Sequence, residues 1–159
     1  MNSTSMQPGE IDRHLRRMRL TTIGFLITVP LAAALCIGVS ARASMVSPMA
    51  VSLTAAAAAL WVGFTANRDA QARLDRIKRA YAANGDEQRL LRDHRMVNLA
   101  VLARLEVMVI AAVVASIWGG SSAAAWGVLA LAGMMMFLSW PTADKTDMLI
   151  KRAREQRGR

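Results

Sequence analysis

The chain is poor in the residues that build disulfides, metal sites and active centres. Among its 159 residues there are one cysteine, two histidines, three phenylalanines, four tryptophans and one tyrosine. A lone cysteine rules out an intramolecular disulfide. Cys36 falls inside an apolar stretch and reads as a small apolar filler, with a covalent dimer as its only other use. His14 and His94 have no His, Cys or carboxylate at ligand spacing, which argues against a metal site. Met134-Met135-Met136 could suggest a soft metal, but three consecutive positions point to three faces of a helix and read as lipid-facing filler. There is no Gly-rich phosphate loop, nucleophile elbow or paired-carboxylate arrangement, so neither an enzyme nor a cofactor is expected.

Negative charge is scarce as well, with 11 Asp and Glu against 20 Lys and Arg, a net charge of +9. Charge of either sign is missing from the 36 residues Val107–Thr142. What the chain does have is four apolar stretches near bilayer length: Leu20–Ala41, Ala43–Ala66, Val97–Trp118 and Ala123–Trp140. A hydrocarbon layer about 30 Å thick needs about 20 helical residues at 1.5 Å each. The expected fold is therefore all-α, a polytopic membrane protein with four transmembrane helices arranged as two hairpins.

The basic residues sit between these stretches. Arg13, Arg16, Arg17 and Arg19 precede the first. Arg68, Arg73, Arg76, Lys78, Arg79, Arg89, Arg92 and Arg95 lie between the second and third. Lys145, Lys151, Arg152, Arg154, Arg157 and Arg159 follow the fourth. Lys and Arg beside span ends stay in the cytoplasm, which puts both termini and the central connector there and the turns near Arg42–Ser44 and Gly119–Ser122 on the far side. Topology and contact with anionic lipid headgroups account for all of the basic residues, and no nucleic-acid partner is needed. Ala41-Arg42-Ala43 has the form of a signal-peptidase site. The apolar segment before it is longer than the 7–15 residues of a signal peptide, so it reads as a retained anchor.

The chain also reads as one hairpin written twice. Leu15-Arg16 returns as Leu91-Arg92 at an offset of 76, and Ile77-Lys78-Arg79-Ala80 returns as Ile150-Lys151-Arg152-Ala153 at an offset of 73. The parts are a basic segment at 1–19, a membrane hairpin at 20–66, a cytoplasmic connector at 67–96, a second membrane hairpin at 97–140 and a basic C-terminal helix at 141–159. Ser47-Pro48 should open the second helix and Gly119–Ser122 should form a flexible turn. Pro30 should kink the first span, and Thr142 should cap the last helix. Within the connector, Asn84-Gly85 reads as a helix stop and Asp86 as the next N-cap.

Three groups of residues are candidates for function. Arg104 and Glu106 are the charges inside an apolar stretch, and intramembrane ionisable groups are functional candidates by default. Two residues apart means about 200° of rotation, so they cannot share a helix face, and Glu106 needs a partner from another helix. On a second count both lie near the headgroups, with Arg104 reaching water along its stem. Leu74, Ile77 and Tyr81 form an apolar stripe on the connector, suited either to packing against the returning arm (Leu90, His94, Val97, Val101) or to docking a partner. Ala55, Ala59 and Gly63 form a small-residue seam for close helix packing. Trp61, Trp118, Trp126 and Trp140 fall near span ends, as an aromatic belt would.

The expected function is that of a small membrane accessory or scaffold protein, working through its basic cytoplasmic helices without catalysis. Its partners would be the bilayer, anionic headgroups, and a protein partner or a second copy. A proton-coupled exporter using Glu106, or an immunity protein against a pore-forming toxin, are the alternatives. Ala- and Arg-rich usage points to a GC-rich bacterium and hence to its inner membrane.

Overall fold

The computed structural model describes residues 8–39, 48–118 and 122–157. They form five helices: α1 Pro8–Val39, α2 Pro48–Asn84, α3 Glu87–Ile117, α4 Ser122–Leu138 and α5 Ala143–Arg157. No strand occurs among the described residues. The Ser47 cap, the Ala41–Ala43 segment and residues 119–121 of the outer turn lie outside them.

Three of these helices, α1, α2 and α3, are long and apolar enough to cross a membrane. The fourth span differs from expectation. α4 has 17 residues, about 25 Å at helical rise, slightly short of the hydrocarbon thickness. It meets α5 at 58°, so the two make one bent pair and the number of spans is three to four. The bend follows from the sequence between them. Trp140 N–H turns back to Phe137 O at 2.9 Å, and Pro141 has no N–H to continue the ladder. Thr142 Oγ1 then accepts from Lys145 N–H at 3.3 Å and caps α5 as expected. The Lys145 ammonium donates to Leu138 O at 2.9 Å and to Trp140 O at 3.1 Å, satisfying carbonyls left over at the end of α4.

The turn between α2 and α3 is also set locally. Gly85 takes φ 68°, a left-handed conformation that favours glycine, and its N–H returns to Tyr81 O at 2.7 Å. Asp86 caps α3 by accepting from Arg89 N–H at 3.0 Å. Pro30 sits within α1, which continues through it to Val39.

Packing divides the molecule into two cores. The larger is apolar throughout and centres on α3, which packs against α1, α2 and α4. Leu102, Leu105, Met108 and Ala112 of α3 meet Ala32 and Cys36 of α1, Ala59 of α2, and Leu129, Ala132 and Met136 of α4. Around it a second set of large apolar side chains faces outward: Leu20, Ile27 and Leu35 of α1, Leu60 and Phe64 of α2, Val107 and Ile110 of α3, and Phe137 of α4. Helices that are apolar both inside and outside belong in lipid.

The smaller core lies beyond the apolar stretches. α2 is 37 residues long, about 55 Å, and so overruns a bilayer by roughly half its length. Its overhanging arm packs with the start of α3 and with α5. Tyr81, Leu90, Leu91, Ile150 and Ala153 are buried there, with Ile11 and Ile77 packed against them. We call this assembly of arms the head.

Candidate functional site

Arg104 and Glu106 part company, as their 200° separation requires. Arg104 turns to α2, where its guanidinium pairs with Asp69 at 2.6 Å and donates to Thr65 O at 3.4 Å. Asp69 lies three residues beyond the end of the second apolar stretch, so Arg104 reaches back along its stem to the interface. Asp69 is exposed and Arg104 half-buried, so water screens the pair and its contribution to stability is small.

Glu106 turns to α1 instead. Its Oε2 lies 2.9 Å from Thr28 Oγ1, which also lies 2.6 Å from Phe25 O. Counting from Val97 puts Glu106 about 14 Å along its span, and counting from Leu20 puts Thr28 about 12 Å along its own. Two independent counts thus bring both residues to one level. α1 and α3 run side by side here: one turn-pair further on, Cys36 Sγ contacts Ala112 O at 3.9 Å.

The stripe Leu74, Ile77 and Tyr81 is largely taken up inside the molecule. Tyr81 is only 5% exposed, Ile77 packs against the smaller core, and Leu74 is half-buried. The cover is α5, a part of the same chain. The phenol of Tyr81 donates to Glu87 Oε1 at 3.3 Å, and the Arg154 guanidinium donates to the same oxygen at 2.6 and 3.0 Å. This shared carboxylate ties α2, α3 and α5 together, and it raises the Arg154 pKa through that hydrogen bond. The other oxygen, Glu87 Oε2, is buried without a partner. An open cleft of about 560 Å³ lies beside it, with Ile11 and Ile150 among Glu87, Asp147, Lys151, Arg154 and Glu155. Charges of both signs line it, so it selects no single sign.

The head's outer surface is basic. Arg16, Arg17, Arg68, Arg73, Arg76, Arg92, Arg95, Lys151 and Arg152 are exposed. The ion pairs of the described residues are Lys78–Asp75, Arg89–Asp93, Arg104–Asp69 and Arg154–Glu87, and none of them includes one of those nine cations.

The histidines, 80 residues apart in sequence, meet where the arms of α1 and α3 cross. Their ring centroids are 6.1 Å apart. His14 Nε2 and His94 Nδ1 are both buried without a hydrogen-bond partner. Desolvation, with His14 beside it, lowers the His94 pKa to about 4. Desolvation and then Arg95 lower that of His14. No group of three or more His, Cys, Asp or Glu suited to a metal occurs among the described residues.

The small-residue seam faces inward. Ala59 is buried, Ala55 is half-buried, and a Cβ on Gly63 would lie 3.0 Å from Met135 Sδ, so α4 packs against α2 here. Of the three consecutive methionines, Met136 is fully buried, Met135 partly buried and Met134 exposed, one to each face. Sequence reasoning missed Thr28, Glu87 and the histidine contact. Thr28 carried one signal, an isolated polar residue two positions before a proline.

No protein-family model, curated protein or solved structure matches this chain. The functional argument therefore rests on the geometry above.

Proposed function

We propose that this chain is a non-catalytic accessory or scaffold protein of a bacterial inner membrane. Its apolar helices anchor a compact basic head, both termini and the head lie in the cytoplasm, and the head binds an acidic partner. The orientation follows from the basic residues at the span ends. One observation carries the reading: the head buries Tyr81, Leu90, Leu91, Ile150 and Ala153 in a core shared with its own α5 and leaves exposed cations, Arg73, Arg76 and Arg92 among them, outside the ion pairs of the described residues. A surface of this kind offers charge rather than an apolar groove. Such a surface governs association rate and specificity, and contact with anionic headgroups, more than it does stability.

The docking stripe proposed from sequence changes role in this reading. Leu74, Ile77 and Tyr81 build the head, and the exposed arginines do the binding. The test is a mild-detergent pull-down of tagged protein, comparing wild type with Arg73, Arg76 and Arg92 all changed to Glu. A stoichiometric acidic partner held by wild type and lost from the folded variant is the expected result. Equal capture by both, or no partner and no retention on anionic vesicles with either, refutes the reading.

A further inference from the structure

The three oxygens around Thr28 allow a count of protons. Thr28 Oγ1 lies 2.6 Å from Phe25 O and 2.9 Å from Glu106 Oε2. A threonine hydroxyl has one proton to give and lone pairs to receive others. The Phe25 carbonyl brings no proton and is the nearer acceptor, so the Thr28 hydrogen is directed to it. An ionised Glu106 would then set a carboxylate oxygen against the lone pairs of Thr28 with no hydrogen between them. A carboxylic acid removes the conflict. Glu106 O–H donates to Thr28 Oγ1, Thr28 O–H donates to Phe25 O, and each contact holds one proton.

The surroundings agree with that count. α1 has no charged residue from Leu20 to Val39, and its thiol, Cys36, is engaged with Ala112 O. α4 has no charged residue at all. On α3 itself Arg104 points away and is held by Asp69 of α2, and Arg68 of α2 is exposed beyond the apolar stretch. Among the described residues no charged side chain is paired with Glu106, and an unpaired ion in a membrane is costly.

We propose that Glu106 is a membrane-embedded proton-binding site, whose carboxylic acid donates to Thr28 and holds α1 against α3. On release the acid O–H bond breaks, the proton leaves, and the electron pair stays on the carboxylate. The single Thr28 proton must then serve either Phe25 O or the new anion, so the α1–α3 contact depends on the bound proton. Pro30 adds compliance at this level, because it gives no N–H to the carbonyl of Leu26. The site stands whether or not the head binds an acidic partner.

Dicyclohexylcarbodiimide tests it in the purified full-length protein. The reagent takes up a protonated carboxylic acid across its N=C bond: the carboxyl oxygen bonds to carbon, the proton goes to nitrogen, and nothing leaves. Peptide masses should show Glu106 labelled at pH 7, less label as pH rises, and none at that position in Glu106→Gln. Thr28→Val decides the direction of the hydrogen bond. Loss of an acceptor for the acid proton should lower the extent of labelling at pH 7 below that of wild type. More label than wild type means that Thr28 was donating to a carboxylate and overturns the proposal. The infrared difference between wild type and Glu106→Gln at pH 7 is independent of reagent access. It should show a protonated carboxyl band, and a carboxylate band in its place also overturns the proposal.

Discussion

His14 of α1 and His94 of α3 face each other with ring centroids 6.1 Å apart, and each buries one ring nitrogen that has no partner. Burial lowers the pKa of both imidazoles, and their cationic neighbour Arg95 adds to the effect at His14. Their carboxylate neighbours in sequence do not compensate: Asp93 pairs with Arg89, and Asp12 is exposed.

This contact makes the head sensitive to acid. The unfolded chain takes up a proton near pH 6.5, whereas folded His94 resists protonation until about pH 4. The unfolded state therefore binds more protons between those values, and stability falls as pH drops from about 6.5 to about 4. Above that window the penalty is absent. The loss from His94 is at most of order 3 kcal/mol. Thermal denaturation in detergent across pH 4–8 should show a declining acid limb in wild type and a flatter one in His94→Gln. Parallel curves would remove the histidine contact as the cause.

Tyr81 should matter to the head as a core residue. Tyr81→Ser removes a buried ring and leaves Glu87 with Arg154 alone, a loss of about 3 kcal/mol or more. Hydrogen exchange should then show α5 losing protection while α1, α3 and α4 keep theirs near Ala112. Arg76→Glu, at an exposed site, should change α5 protection by less than about 0.5 kcal/mol.

Gly63 reports on the approach of α4 to α2. Its would-be Cβ meets Met135 Sδ at 3.0 Å and Cε at 3.2 Å, the far end of a flexible side chain. Gly63→Ala should therefore be absorbed by a shift of Met135. Gly63→Leu overfills the contact and should cost about 1–3 kcal/mol, seen as a lower melting temperature in detergent. Equal stability of all three would place the seam away from α4.

Much of the local structure was legible in the sequence. Asn84-Gly85-Asp86 marked the turn, because a left-handed glycine and an Asp cap are short-range requirements. Thr142 marked the start of α5 for the same reason. The cover over Tyr81 was not legible. Periodicity shows that a helix has an apolar face, but it is silent on what fills that face, and α5 supplies Ile150 and Ala153 from about 70 residues away. Glu106 stood out because a charge in an apolar run is rare. Its companion Thr28 is uncharged, and only the side-by-side packing of α1 and α3 brings them level. The break at Pro141 was visible, whereas the 58° bend that leaves α4 short was not.

The most direct test of the account asks where the head lies. In a Cys36→Ser background, single cysteines at Asp75, Arg92 and Met148 would be treated with a membrane-impermeant maleimide, in intact cells and in inverted membrane vesicles. A cysteine at Ser121 reports on the opposite side. The account predicts that the three head positions label only in inverted vesicles and Ser121 only in intact cells. Labelling of the head positions in intact cells would contradict the account.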